Sequence, residues 1–237
     1  MGGRVSLWAG PRAFFGGLLF VVSTPSVWLP AMVPMGVALV LLGAVTGLGV
    51  WAAVNVVKAS QSAWGTAGGI ALGLVAPLVA LAVAAALSQP LSGFALDAIT
   101  RRQERALGAP PHAEVPLLAG MWRSLRVNLL GLGLGLPLLA LLSLITAVAP
   151  PAGVVTLPLN FLVTALMLAW DFLDYPLGMR GLGIRARLSW IGRNFLAVLA
   201  FGAMCAAVLL VPAIGLVVLP FGVAGASRLA VLVDRSR

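Results

Sequence analysis

The sequence predicts an all-α integral membrane protein with two spanning helices, two helical hairpins that penetrate partway and amphipathic cytoplasmic helices. Three observations predict it. Of 237 residues, 61% are apolar and 9% charged, with a mean hydropathy of +1.10. So few polar side chains cannot cover a core in water, and lipid becomes the outer solvent. The arginines gather in short links between apolar blocks, the pattern that sets membrane topology. Finally, one phrase occurs twice. Pro150-Pro151-Ala152-Gly153-Val154-Val155-Thr156-Leu157-Pro158-Leu159 returns as Pro212-Ala213-Ile214-Gly215-Leu216-Val217-Val218-Leu219-Pro220-Phe221, with Pro, Gly, Leu-Pro and a large apolar residue at the same offsets. Pro and Gly between apolar stretches end one helix and begin the next, so each copy is the tip of a hairpin. Neither tip holds a charge, whereas a turn in water gathers Asp, Asn, Ser or Lys. Both tips are therefore expected inside the membrane or protein, where irregular backbone needs protein or a polar cavity to satisfy it.

Taken in order, residues 1–24 mix Arg4 and Arg12 with Trp8, Phe14, Phe15 and Phe20. That is the pattern of an interfacial helix; no small-residue cleavage site closes a short apolar core, as a signal peptide requires. Residues 28–54 and 66–87 each offer about 20 or more apolar residues, enough to cross. The link 88–126 contains an amphipathic helix in which Asp97, Arg101, Arg102, Glu104 and Arg105 stand beside Leu91, Phe94, Leu96 and Ile99. Four-residue spacing pairs Asp97 with Arg101 and sets Arg101 against Arg105. The first hairpin covers 127–176, with arms 127–148 and 156–170; after a link at 177–193, the second covers 194–233, with arms 195–211 and 218–233. Most arms lie near or below the spanning minimum of about 17 residues, so some are expected to enter the membrane without crossing it. No long linker divides the chain, and one domain is expected.

Charge fixes the sidedness. Arg4 and Arg12, then Arg101, Arg102, Arg105, Arg123 and Arg126, then Arg180, Arg185, Arg187 and Arg193, and finally Arg228, Arg235 and Arg237 fall on alternate ends of the apolar segments. The positive-inside rule puts all of these groups and both termini in the cytoplasm, with Lys58 opposite. The net charge of +9 flanks apolar segments and suits lipid headgroups; without a recognition motif, nucleic acid is not an expected partner. Cys205, the only cysteine, has no disulfide partner and reads as a small core residue.

Several motifs are set aside. Gly131, Gly133 and Gly135 follow no strand and form no nucleotide loop; Gly131 with Gly135, and Gly43 with Gly47, read as close helix-packing pairs. His112 stands alone in a Pro-rich loop, so no metal site is expected. No nucleophile, base and orienter occur as a set, so neither an enzyme nor a cofactor is expected. Asp171 and Asp174 close a helix three residues apart and oppose its dipole, while Arg180, Arg185 and Arg187 follow closely enough to compensate. Two roles fit: a gate or coupling acid at the cytoplasmic mouth, or an ion-paired anchor for the link, which the lower cost of charge at membrane ends favours.

Ser88-Gln89-Pro90-Leu91 leading to Arg105-Ala106-Leu107-Gly108, the phrase around Pro150, Asp174-Tyr175-Pro176, and Leu219-Pro220-Phe221-Gly222-Val223-Ala224-Gly225-Ala226 occur in an order and spacing that resembles the family joining bacterial CysZ-type sulfate permeases with the eukaryotic etoposide-induced membrane proteins. The resemblance covers most of the chain from Leu87 onward. It implies two long spanning helices, two partly penetrating hairpins, cytoplasmic termini, oligomeric assembly and sulfate uptake for cysteine synthesis. It also implies a Gly and an anion-holding arginine pair after Pro25; this chain has Ser26-Val27-Trp28-Leu29 instead.

Two functions follow. In an anion permease, with sulfate as the anion implied by resemblance, the second arms begin near Thr156 and Val218 and turn partially positive N-termini toward a cavity. Gly153 and Gly215 would give the tips unusual backbone angles, and Arg185 and Arg187 would assist at the cytoplasmic mouth. Each first arm, however, brings its negative C-terminus to the same tip. The alternative is a non-transporting membrane scaffold or envelope-homeostasis protein, which the missing arginine pair favours.

Overall fold

The structure, a computed structural model, describes residues 5–111, 117–210 and 215–236. In chain order its helices are α1 (Ala9–Ser23), α2 (Pro25–Ala59), α3 (Ala63–Leu91), α4 (Gly93–Ala106), α5 (Leu117–Val148), α6 (Gly153–Met179), α7 (Ile184–Arg193), α8 (Phe195–Leu209) and α9 (Gly215–Arg235), and a 3-10 turn at Pro150–Ala152 joins α5 to α6. No strand occurs among the described residues. This is an all-α membrane protein.

Stretches long and apolar enough to cross a bilayer are Pro25–Ala59, Ala63–Ala84, Leu129–Val148 and Pro150–Met179. The first two match the expected spans. The arms of the first hairpin are longer than expected, α5 running for 32 residues and α6 for 27. Asp171 and Asp174 read in sequence as the close of a helix, yet α6 passes through both, and through Pro176, to Met179. Proline inside a membrane helix removes one N–H without ending the helix when neighbours meet the freed carbonyl. The second hairpin keeps a short first arm: α8 has 15 residues and meets α7 across a 93° bend at Asn194. Its tip, Val211 to Ile214, lies outside the described residues, as do Arg4, His112 and Arg237.

Residues 32–94 form one compact unit, and the chain up to Ala31 and from Ala95 forms a second. In the first unit α2 and α3 approach closely where Gly49 meets Ala76 and Gly69 meets Val57. Ser62 caps α3, its hydroxyl accepting the Gly65 N–H at 3.2 Å. Gly43 and Gly47, expected as a packing pair, face open space within the chain. Their neighbours Leu39, Val40 and Leu48 are exposed apolar side chains, as suits a surface facing lipid.

In the second unit α1, α6, α8 and α9 pack around Phe14, Phe172, Phe201 and Leu229. Phe172 and Phe201 meet edge to face at 6.5 Å. Lipid tails are as apolar as leucine, so close packing rather than water exclusion holds such helices. Glycine supplies it at two crossings: a Cβ on Gly17 would stand 2.3 Å from the Gly225 nitrogen, and one on Gly202 would stand 1.9 Å from the Ala165 carbonyl oxygen. Within residues 1–24, read as an interfacial helix, α1 buries Ala13, Phe14, Gly17 and Val21 and exposes Phe15, Leu19 and Val22, with Trp8 exposed at its start. Helix α5 packs on α6, Gly131 lying against Trp170 and Gly135 against Met167, as the glycine spacing predicts. Cys205 is buried.

Candidate functional site

Ion pairs in the second unit join α4 and α9 to the end of α6, and α7 to α6. Helix α4 is amphipathic as expected, burying Leu96 and Ile99. Gly108, at φ 69°, ends it with the Ala109 N–H on the Glu104 carbonyl and its own N–H on that of Arg105, both at 2.9 Å. The last turns of α6 present Asp174, and α7 returns Arg187 to it. The Arg187 Nη1 donates to Asp174 Oδ1, and its Nε donates to the Leu182 carbonyl at 2.9 Å. Both ionised partners are buried, at 2% and 6% exposure.

Arg180 turns elsewhere. It donates to Glu104 at 2.7 Å and to Asp234 at 2.9 Å, tying α4 and α9 to the end of α6, and also to the Pro176 carbonyl at 2.7 Å. Of the pairings expected for Asp171 and Asp174, the structure thus makes Asp174 with Arg187. Asp171 stands near Gly131 on the α5 side, and Arg185 is exposed. Glu104 and Asp234 were not singled out as partners of Arg180, because they are distant in sequence.

Two contacts have a local cause that the sequence does contain. Pro25 leaves the Val21 carbonyl without a helical donor, and the Trp28 indole N–H donates to it at 2.9 Å. Pro30 likewise leaves the Ser26 carbonyl free, and Arg102 donates to it. Arg235 holds the Leu107 carbonyl at the end of α4. A cleft of about 170 Å³ lies beside this helix, lined by Arg101, Glu104, Arg105, Ala109, Pro110, Pro111 and Met179. Burial raises the carboxyl of Asp97 to about 6, Arg101 opposing and Asp174 reinforcing the rise.

The first hairpin tip offers few backbone donors. Pro150 and Pro151 have no N–H, the Ala152 N–H bonds the Ala149 carbonyl at 2.9 Å, and that of Gly153 bonds Pro150. Gly153 has ordinary helical angles, φ −54° and ψ −30°, so the unusual conformation expected there is not adopted. Thr156 is buried, and its hydroxyl meets that of Thr146 across the hairpin. Thr146 escaped notice in the sequence because it lies before the repeated phrase. At the second tip Gly215 opens α9 and Val218 is buried in the apolar core.

A family profile described as sulfate transporter CysZ/etoposide-induced protein 2.4 matches residues 13–220. The chain belongs to this family. Over 141 residues it is 31% identical to the sulfate transporter CysZ of Pseudomonas paraeruginosa (strain DSM 24068 / PA7), covering 60% of this chain and 57% of that relative. The sulfate transporters CysZ of Pseudomonas aeruginosa (strain LESB58) and Pseudomonas fluorescens (strain Pf0-1) are 30% and 28% identical over equally long stretches. The chain thus spans somewhat more than half the length of these curated relatives. In this member of the CysZ/etoposide-induced family, Ser26-Val27-Trp28-Leu29 stands where the resemblance implies a Gly and an arginine pair. A guanidinium nevertheless meets that corner, brought by Arg102 from α4.

Proposed function

We propose that the protein is a permease for a small inorganic anion, sulfate foremost, working as a homo-oligomer in the bacterial inner membrane with both termini cytoplasmic. The observation that carries this reading is the family match over residues 13–220, joined to relatives whose own name is sulfate transporter CysZ. Orientation follows from the arginine-rich ends of the helices. Gly36, Gly43 and Gly47 leave an open face on α2, which a second copy can approach closely.

The arginines divide into two groups in this reading. Arg180 and Arg187 are committed to carboxylates and carbonyls and serve as structural locks, with Asp174 as a partner. Arg105 and Arg185 hold no such contact among the described residues, Arg101 faces the Asp97 carboxyl, and these three draw anions to the cytoplasmic mouth. Within the first hairpin, the Thr146 and Thr156 hydroxyls support a polar step in an otherwise apolar path, taking the part first assigned to the backbone at Gly153. Labelled sulfate uptake into vesicles containing the purified chain tests the proposal. Uptake above protein-free vesicles is expected, and absence of any anion flux from folded protein would leave the scaffold reading.

A further inference from the structure

Arg228 lies in the apolar run of α9, about two turns before Arg235 and so about 10 Å along the helix from the residue that holds the Leu107 carbonyl. Its side chain is half-buried and lies across Gly16 of α1, where a Cβ would stand 2.5 Å from its Nε and 2.7 Å from its Cζ. Glycine leaves the space this guanidinium occupies. No hydrogen bond or ion pair engages Arg228 among the described residues. Arginines at membrane depth ordinarily pair with carboxylates, with carbonyl oxygens or with a polar phase. Arg102, Arg180, Arg187 and Arg235 each hold a carbonyl; Arg228 does not.

Arg12 precedes Gly16 by four residues and therefore stands one turn away on the same face of α1. It is exposed, and α1 contains no Asp or Glu. The heads of Arg12 and Arg228 thus share one face with no negative charge of the helix between them. Around that helix Trp8, Phe15 and Leu19 are exposed, the aromatic and apolar dressing of a helix at the headgroup level. We propose that Arg12 and Arg228, seated at Gly16, bind the phosphate of an anionic phospholipid in the cytoplasmic leaflet. The half-open position on a lipid-facing helix favours a headgroup over a transported ion, which needs an enclosed path. The site stands whether or not the protein transports an anion.

The test uses the full chain in nanodiscs of phosphatidylcholine containing a minor fraction of spin-labelled phosphatidylglycerol, with the motionally restricted label as the readout. A restricted component is expected in the parent. Arg228→Gln should weaken its affinity about fivefold and Arg12→Gln by a similar or smaller factor, since a basic residue at an anionic leaflet is worth about that much. Arg228→Lys should retain most of it, and Arg185→Gln, away from the site, all of it. Unchanged restriction in both glutamine variants would overturn the proposal; Arg12 is exposed, so its variant remains informative even if Arg228→Gln fails to fold. Displacement of the label by inorganic sulfate would also overturn it, by assigning the arginines to a free anion.

Discussion

Arg187 on α7 is held against Asp174 on α6 with both side chains buried, and the same guanidinium caps the Leu182 carbonyl between them. The pair sets the turn by which the chain leaves the first hairpin and enters the second. Its Nη2 has no hydrogen-bond partner among the described residues, so with Asp174 lost the buried guanidinium would keep the Leu182 carbonyl but no carboxylate.

Removing one partner of a buried pair costs far more than replacing both, because the remaining charge stays desolvated. Asp174→Leu should lower unfolding stability in detergent by about 3–5 kcal/mol, and Asp174→Leu with Arg187→Met by distinctly less. Arg180→Met should likewise cost about 3 kcal/mol by removing the cation that joins Glu104 and Asp234, whereas Arg185→Gln should stay within about 0.5 kcal/mol. Equal effects at Arg180 and Arg185 would contradict the division of the arginines.

Proline chemistry makes the Arg102 contact conditional. Pro30→Ala supplies the N–H that the Ser26 carbonyl lacks, so Arg102→Met, which costs about 1 kcal/mol in the parent, should cost little in that background. A double-mutant cycle in thermal unfolding reads the coupling directly. Additive effects would show that Arg102 acts elsewhere.

Asp97 gives a pH dependence of stability. Its folded carboxyl is raised from 3.8 to about 6 by burial, so the folded state binds its proton more tightly than the unfolded state. Stability is then greatest below about pH 4, falls as pH rises toward 6, and stays lowered above that. Asp97→Asn should therefore stabilise the protein by about 1–3 kcal/mol at pH 8 and leave it nearly unchanged at pH 4. A gain of equal size at both pH values would rule out ionisation as its cause. Arg101 and Asp174 face this carboxyl with opposite effects, so Arg101→Gln should widen the difference.

Gly153 has helical angles, and a Cβ there would meet Thr146 at 3.5 Å and Leu157 at 3.8 Å, ordinary contacts. Gly153→Ala should be tolerated and add about 0.5–1 kcal/mol of stability. Loss of folding would restore the view that this tip needs a glycine backbone.

Much of the fold was legible because lipid-facing helices announce themselves by length and apolarity, and because arginines mark their ends. The Gly131 and Gly135 contacts followed from spacing alone. Asp171 and Asp174 misled, since they read as the close of a helix, and α6 continues past both to Met179. Arg180 with Glu104 and Asp234 was out of reach, because three helices must be assembled before those charges meet. Pro30 and Ser26 offered a readable clue, four residues apart, whose answer in Arg102 lay far along the chain.

As a proposed permease, the folded chain carries a small anion across a bilayer. Uptake of labelled sulfate by vesicles holding the purified protein, with folding checked by its cooperative unfolding, tests this most directly. Uptake well above protein-free vesicles is expected, kept in Gly153→Ala and slowed in Arg185→Gln at low ionic strength only, because an exposed guiding charge is screened by salt. Folded parent protein that moves neither sulfate nor any other inorganic anion would contradict it.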